Sequence, residues 1–329
     1  MTQTLSIDAS ALSGINLQTH IATALSGFAA ASMTFWGGDP DSAFGGTYYM
    51  NGDQVLARYS EAGDGGNVQT DSVALIGGED LAYDFIHNGA SFGHGISGSI
   101  DSLTFGTWTD ATTGTQGTGD EGLIAGLDEG LVIEGFGLSA APGAGSDVAV
   151  NKVHALYTAL RTMDAAAIYD LISGYAIEFT GSAGADTVRG YAADDVLLGG
   201  AGADRLHGMA GDDLLLGGHG ADILRGYKGA DDLRGGAGAD TLVGGGGADV
   251  LTGGSGADVF VFSTARGTDT VTDFDVTQDL LDLTALGADG LADLTVTETE
   301  TGVDLVLGQI TIALNGVAAA DLTDDLFLF

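Results

Sequence analysis

A nine-residue repeat limits what the second half of this 329-residue chain can fold into. Nine units follow one another in unbroken phase from Gly181 to Val261. The first residue of every unit is Gly, the sixth is Asp and the eighth is apolar. One unit is long enough for one short strand and one turn. The pattern therefore predicts a stack of parallel β-coils, because such units bury an apolar face only by stacking.

Each constant position of the repeat has its own physical role. Glycine allows backbone conformations that turn carbonyl oxygens inward. Aspartate adds a carboxylate oxygen, and oxygen-only ligation in a flexible loop suits Ca²⁺, which takes about six to eight oxygens. The apolar residue fills the narrow core. We interpret the sixth-position aspartates as calcium ligands: Asp186, Asp195, Asp204, Asp213, Asp222, Asp231, Asp240, Asp249 and Asp258.

The turns of successive units alternate between two edges of the predicted stack. Odd-numbered units share one edge and even-numbered units the other. One Ca²⁺ between neighbouring turns on an edge gives four sites on the first edge and three on the second, about seven in all. Without Ca²⁺ the stacked carboxylates repel one another, so we expect the segment to be unfolded until it meets roughly millimolar calcium.

This repeat resembles that of the RTX (repeats-in-toxin) family, which reads G-G-x-G-x-D-x-U-x. The resemblance implies a parallel β-roll over residues 181–261. The last six residues, 324–329, are acidic and then apolar. They resemble the uncleaved C-terminal signal of type I secretion substrates, which implies the type I secretion machinery as a partner. We expect a secreted protein, extracellular or associated with the cell surface.

Composition excludes several other classes. The formal net charge is −37, and nucleic acids and anionic membranes bind surfaces rich in Lys and Arg. We therefore predict no nucleic-acid partner. The chain has no cysteine, which excludes disulfides and thiolate chemistry. The first residues contain neither a basic nor an apolar stretch, so they do not form a Sec signal peptide.

Residues 1–180 contain no repeat and predict an α+β domain. Leu17 to Ala31 has the apolar spacing of a helix, and residues 44–110 indicate antiparallel strands with glycine turns. Residues 148–173 predict two helices that break at Met163-Asp164, with Asp164 as N-cap. We expect helices on one face of an antiparallel sheet. Residues 262–329 predict a small β cap after the all-β roll, which makes three domains: 1–180, 181–261 and 262–329.

Enzyme signatures are weak in this chain. Gly89 to Gly93 fits G-x-S-x-G, with Ser91 as the nucleophile of an esterase. That motif works between a strand and a helix, whereas a glycine-rich, strand-like segment follows it here. We predict that the protein is not an enzyme.

A second resemblance covers most of residues 14–175. Gly77 to Tyr83, then His94 seven residues before the Asp101 to Gly106 strand, is similar to the secreted haemophores of the HasA type. Carried over, Tyr83 matches the haem-iron tyrosine and His94 the histidine that hydrogen-bonds its phenol oxygen. His87 lies four residues after Tyr83 and is an alternative for that supporting role. Tyrosinate is a known axial haem ligand.

The opposite haem ligand departs from the family pattern. The family brings a histidine from the loop after the first helix, and here residues 30–38 contain none. Met33 falls near the matching position, either as an iron ligand or as packing against the haem.

The sequence thus predicts a haem-binding, haemophore-like protein for extracellular iron acquisition. It would carry haem b and Ca²⁺, with an outer-membrane haem receptor as partner. The alternative is a calcium-dependent surface, matrix or self-assembling structural protein whose haemophore-like domain makes protein contacts.

Overall fold

The computed structural model describes residues 3–26, 28, 30–36, 52–63, 66–83, 96–108, 127–140, 147, 149, 151–263 and 266–329. Within them the chain forms two compact units. The first, here called the amino-terminal unit, comprises residues 3–11 and 18–172. The second, the solenoid unit, comprises residues 12–17 and 173–329. Among these residues we find no helix with the length and apolar character needed to cross a membrane.

The amino-terminal unit contains an antiparallel sheet and three helices in its described part. Strands β2 to β6 pair in sequence order, and β1 pairs with β6. The strands are β1 (Thr4–Asp8), β2 (Ala30–Trp36), β3 (Gly52–Gly63), β4 (Gly66–Tyr83), β5 (Ile96–Trp108) and β6 (Leu127–Ala140). The helices are α1 (Leu17–Ala24), α2 (Lys152–Thr162) and α3 (Ala165–Ile172).

Helix α2 packs on the sheet against β2, β5 and β6. Its inward face buries Val153, Leu156 and Leu160 completely, which explains why this short helix holds to the sheet. Burial of Leu103 and Ile133 completes the apolar layer from the strand side. The α+β prediction is thereby confirmed in part, for the described residues.

The helix pair forms where the sequence predicted it. Helix α2 begins after Asn151, whose side-chain oxygen accepts the His154 N–H at 2.8 Å. It ends at Met163 in a left-handed conformation. Asp164 then accepts the Ala167 N–H at 3.1 Å, so it caps α3 as expected.

Other predicted boundaries in this unit are corrected. Helix α1 ends at Ala24 instead of Ala31, and residues 30–36 form strand β2 instead of a loop. Strand β2 pairs with β3 at all seven of its residues. The hydrogen bonds of this pairing stabilise a strand where the spacing of apolar residues alone had indicated a helix. The start of the predicted strand region, residues 44–51, and the G-x-S-x-G motif at 89–93 lie outside the described residues.

The solenoid unit contains a two-sheet parallel coil that extends from residue 176 to 282. One sheet contains β7, β9, β11, β13, β15 and β17, and the other contains β8, β10, β12, β14, β16 and β18. The strands are β7 (Ala176–Thr180), β8 (Thr187–Arg189), β9 (Val196–Ala201), β10 (Arg205–Ala210), β11 (Leu214–His219), β12 (Ile223–Lys228), β13 (Asp232–Ala237), β14 (Thr241–Gly246), β15 (Val250–Ser255), β16 (Val259–Val261), β17 (Arg266–Val271) and β18 (Leu280–Asp282).

The parallel register places each repeat beside the repeat two units away. Leu206 pairs with Leu224, and Leu215 pairs with Leu233, a spacing of 18 residues. The eighth-position side chains face inward and all nine are 0% exposed: Val188, Leu197, Leu206, Leu215, Leu224, Leu233, Leu242, Leu251 and Phe260. Odd and even repeats therefore occupy opposite sheets, as the period predicts.

The coil continues past the last repeat. Strand β17 lies parallel to β15, and β18 lies parallel to β16. A meander of β19 (Thr295–Glu298), β20 (Gly302–Leu307) and β21 (Gln309–Asn315) follows, and β22 (Phe327–Leu328) pairs with β18. The β-structure predicted for residues 262–329 is thus present in the part of this segment that the structure describes. The solenoid reaches Asp282, whereas the repeat itself ends at Val261.

Candidate calcium sites

The sixth-position aspartates form two ladders inside the solenoid unit. Within each ladder, Oδ1 of one aspartate accepts the backbone N–H of the aspartate 18 residues earlier. On the odd edge Asp204 accepts from Asp186 at 2.7 Å, and on the even edge Asp213 accepts from Asp195 at 2.8 Å. All nine repeat aspartates are buried, with at most 2% of each exposed. The repeat thus buries a carboxylate in every turn.

Seven of these buried carboxylates keep their second oxygen without a hydrogen-bond partner. The atoms are Oδ2 of Asp204, Asp213, Asp222, Asp231, Asp240, Asp249 and Asp258. Leaving a buried charged oxygen unpaired costs on the order of several kcal/mol, because the protein interior does not replace the lost water. A cation beside each oxygen would remove that cost.

The first-position glycines are needed because two oxygen atoms approach the backbone closely at this position. A Cβ added to Gly199 would meet Asp204 Oδ2 and would lie 2.7 Å from the Gly217 carbonyl oxygen. The same kind of atom pair surrounds Gly235, where the carbonyl is that of Gly253, also at 2.7 Å. A carboxylate oxygen and a carbonyl oxygen from neighbouring turns therefore lie beside the same glycine. Two electron-rich oxygens repel unless a positive charge lies between them.

Backbone oxygens have to supply most ligands of these sites. Among the described residues no three His, Asp or Glu side chains come close enough to hold a metal ion together. One carboxylate per turn plus backbone carbonyls matches the preference of Ca²⁺ for hard oxygen donors in flexible geometry. The donor set thus fits Ca²⁺, and it lacks the nitrogen and sulfur ligands typical of zinc.

The pKa values of these aspartates are raised, as expected for buried carboxylates that no cation compensates. Burial raises the pKa of Asp213 to about 7, and the neighbouring Asp195, Asp231 and Asp194 add to the rise. Burial also raises the pKa of Asp204 to about 6, with Asp222 and Asp186 contributing. In both carboxyls, a backbone hydrogen bond to the charged form lowers the pKa without cancelling the rise.

Sequence reasoning missed the aspartates that continue the ladders beyond the repeats. Asp269 accepts the Asp249 N–H at 3.0 Å, and Asp279 accepts the Asp258 N–H at 2.9 Å. Both are buried, with 3% and 4% exposed. The signal in the sequence is a change of spacing, to 20 and 21 residues, which breaks the nine-residue phase but keeps the coil.

A protein-family model identifies the repeats. The RTX calcium-binding nonapeptide repeat matches residues 178–206, 198–233 and 225–260. Residues 178–260 are RTX repeats. The match covers the coil in which the seven unpartnered oxygens lie. No curated protein matches the chain in sequence.

Solved structures resemble parts of the chain. A subunit of the mannuronan C5-epimerase of Azotobacter vinelandii, AlgE6R2, is 36% identical over 36% of this chain and 88% of its own, with a TM-score of 0.31. The apo hemophore HasA of Yersinia pestis is 16% identical over 51% of this chain and 87% of its own, with a TM-score of 0.34.

A third structure, the extracellular lipase LipA of Serratia marcescens, is 20% identical. The aligned part covers 46% of this chain and 40% of the lipase, with a TM-score of 0.24. All three TM-scores are low, so no functional conclusion rests on these similarities.

The structure locates the predicted haem residues only in part. Tyr83 is the last described residue of β4, and its backbone pairs with Ile96 at the start of β5. His87 and His94 lie outside the described residues. Met33 lies in β2, where it pairs with Ala57 of β3.

Strand register does not bring Met33 and Tyr83 together. Ala57, the partner of Met33, pairs in turn with Ala74 of β4. Tyr83 follows Ala74 by nine residues on the same strand, which is roughly 30 Å of extended chain. Two axial ligands of one haem iron must both reach a single atom. The expected loop is thus a strand two positions away from β4 in the sheet, and the role of Met33 as a haem ligand stays a prediction.

Proposed function

We propose that the solenoid unit is a calcium-dependent folding module. The observation that carries this proposal is the set of seven buried Oδ2 atoms without a partner, each in an RTX repeat. When Ca²⁺ is bound, it supplies the positive charge that these oxygens lack. Without Ca²⁺, burying the carboxylates costs more free energy than the burial of the narrow apolar core contributes, so the coil does not fold.

Charge supports the same proposal. Seven divalent cations carry +14 against a formal net charge of −37. Extracellular calcium modules bind Ca²⁺ at about 10⁻⁴–10⁻³ M, far above cytosolic levels. A chain with this property stays unfolded inside the cell and folds outside, which suits secretion by the type I machinery. We therefore propose a secreted protein, extracellular or held at the cell surface.

A calcium titration tests the folding module. The full-length protein is freed of calcium and followed by far-ultraviolet circular dichroism as Ca²⁺ is added. We expect a cooperative gain of β-structure at millimolar Ca²⁺ and none with equal Mg²⁺, because Mg²⁺ is smaller and keeps its waters. A spectrum that is already β-rich without calcium, and unchanged by it, would reject the proposal.

A second proposal concerns haem. Tyr83 pairs with Ile96 across two neighbouring strands, and His87 and His94 lie between these two residues in the sequence. We propose Tyr83 as the ligand of ferric haem b, supported by His94 or His87, because an imidazole that accepts the phenol proton favours the tyrosinate. The protein would then capture extracellular haem for a receptor in the outer membrane, with no catalytic step.

Haemin titration of the calcium-loaded protein tests the haem proposal. We expect a saturable one-to-one Soret shift that Tyr83→Phe abolishes and that the control Tyr227→Phe, on the roll surface, leaves unchanged. Saturable binding that survives Tyr83→Phe would remove Tyr83 from the site. No saturable binding would favour the alternative, a calcium-dependent structural protein that assembles or makes contacts at the cell surface.

A further inference from the structure

The first two repeats differ from the other seven in the hydrogen bonds that the aspartate Oδ2 accepts. In the first repeat, the Ser182 N–H donates to Asp186 Oδ2 at 2.7 Å, and the Ser182 hydroxyl donates to both carboxylate oxygens. In the second repeat, the Tyr191 N–H donates to Asp195 Oδ2 at 2.8 Å. Both carboxylates thus have protein donors on Oδ2.

The second residue of the repeat explains this difference. Neither Ser182 nor Tyr191 has a positive φ. In repeats three to nine, the residue at the second position of each repeat has a left-handed φ, from 76° to 111°. These residues are Gly200, Met209, Gly218, Tyr227, Gly236, Gly245 and Gly254. A left-handed φ rotates the peptide group that carries this N–H. The seven repeats with the rotated peptide are the seven whose Oδ2 has no partner.

Two of the rotated residues are not glycine. Met209 has a φ of 88° and Tyr227 a φ of 76°. A bulky residue is strained in this region and persists there only where its surroundings require the conformation. The coil therefore adopts the rotated peptide even where the side chain opposes it, which indicates that the conformation belongs to a site and is not a preference of glycine.

The two ends of each aspartate ladder differ in the groups that hydrogen-bond to the last aspartate. At the start, the Ile15 N–H donates to Asp186 Oδ1 and the Ile177 N–H to Asp195 Oδ1, both at 2.7 Å. At the other end, the last aspartate on each edge has an unpartnered Oδ2 although no repeat follows it. These two residues are Asp249 and Asp258, and their N–H groups are accepted by Asp269 and Asp279, which belong to coils outside the repeat.

We propose that the calcium sites start at the third repeat and continue one coil beyond the last one. Asp186 and Asp195 form a metal-free start of the roll, with protein N–H groups in place of the cation. The final site on each edge lies at Asp249 or Asp258 and is completed by the non-repeat coil that carries Asp269 or Asp279. This inference rests on the proposed calcium function and changes which residues take part in it.

The count alone does not reveal this shift. Pairing the nine repeat aspartates along each edge also gives seven gaps, but it includes the gaps at Asp186 and Asp195 and omits those after Asp249 and Asp258. Both assignments predict seven ions, so the test has to compare variants at opposite ends of the roll.

Native mass spectrometry of the full-length, calcium-loaded protein counts the ions in each variant. The matched pair on the even edge is Asp195→Asn and Asp249→Asn, and the pair on the odd edge is Asp186→Asn and Asp258→Asn. We expect seven ions, one per unpartnered oxygen, in the unaltered protein and in Asp195→Asn and Asp186→Asn. We expect the loss of one ion in Asp249→Asn and in Asp258→Asn. Circular dichroism in calcium checks that each variant folds.

A fifth variant tests the extension without touching a repeat. Asp269→Ala removes the oxygen that accepts the Asp249 N–H, and we expect it to lose one ion. Asp269→Asn keeps an oxygen acceptor there and should restore that ion. Loss of an ion in the Asp186 or Asp195 variants, or a full set of ions in Asp269→Ala, would overturn the shift. Absence of bound calcium in the unaltered protein would instead contradict the proposed function itself.

Discussion

Repeats one and two share the consensus aspartate with repeats three to nine, yet they leave no carboxylate oxygen unpartnered. Burial does not separate the two groups, since Asp186 and Asp195 are as buried as Asp222. The difference lies in the peptide group before the second residue, which donates to Oδ2 in the first group and is rotated away in the second. A consensus ligand is thus necessary for a site, and the conformation of a neighbouring residue decides whether its oxygen remains available.

The largest expected effect comes from placing a methyl group against one of the buried carboxylates. A Cβ on Gly244 would meet Asp249 Oδ2 and lie 2.7 Å from both Cβ and Cγ of Asp249. Gly244→Ala should remove one calcium ion and raise the Ca²⁺ concentration for half-folding by up to about twofold, because the ~1–3 kcal/mol that overpacking costs is spread over the six or seven ions that bind on folding. The measurement is a calcium titration followed by circular dichroism.

Gly246→Ala is the control in the same repeat. An added Cβ there meets only the Tyr227 carbonyl oxygen, at 3.8 Å, which is ordinary contact. Its titration should overlay that of the unaltered protein. Equal effects of the two substitutions would show that the close approach of Gly244 to Asp249 has no special role.

A smaller effect should come from opposing the rotated peptide. Gly218 has a φ of 105°, where a β-branched residue is strained, and an added Cβ would also meet the Gly200 carbonyl oxygen. Gly218→Val should lower the stability of the calcium-loaded protein by about 2 kcal/mol in urea unfolding. Tyr191→Val, at the equivalent position of the second repeat, should change it by less than about 1 kcal/mol because no left-handed φ is needed there. A reversed order would contradict the role assigned to the second residue.

The smallest effect is a pH dependence with opposite signs in the two calcium states. Folding raises the pKa of Asp213 to about 7 and those of Asp231 and Asp240 to about 6, from an ordinary value of 3.8. Without calcium, the folded state therefore binds protons more readily than the unfolded one. Its stability is present at low pH and is lost as the pH rises through about 6 to 7.

Calcium reverses this trend because protons compete with Ca²⁺ for the same oxygens. We expect more β-structure at about pH 5.5 than at about pH 7.5 in the calcium-free protein, and weaker calcium binding at the lower pH. Asp213→Asn, a neutral analogue of the protonated acid, should reduce both differences. Calcium-free protein with more structure at the higher pH would contradict the burial of uncompensated charge.

The solenoid could be predicted from sequence because the same pattern of Gly, Asp and apolar residues recurs in nine successive units. Nine copies of one register determine which residue faces inward, so the repeat alone predicts that Leu206 and Leu224 lie in the core on the same sheet, and they do. The extension past Val261 could not be predicted, because the spacing to Asp269 and Asp279 leaves the nine-residue phase. The rotated peptides could not be predicted either, since a methionine and a tyrosine ordinarily avoid a positive φ.

The amino-terminal unit contains no repeat, so each of its sequence patterns occurs once. Its secondary structure is therefore predicted less accurately than that of the solenoid. The helix pair is predictable because capping chemistry at Asp164 is local. Strand β2 is not, because its pairing with β3 is a long-range property that seven residues by themselves do not reveal. The sequence therefore suggests a loop that carries Met33 near Tyr83, and only the strand register separates the two residues.

Anomalous diffraction from calcium-loaded crystals would test the central claim most directly, because it locates each ion beside its carboxylate. The account predicts seven calcium peaks, one next to each unpartnered Oδ2 atom from Asp204 to Asp258. It predicts no peak at Asp186 or Asp195. Peaks at those two aspartates, with none at Asp249 and Asp258, would contradict it.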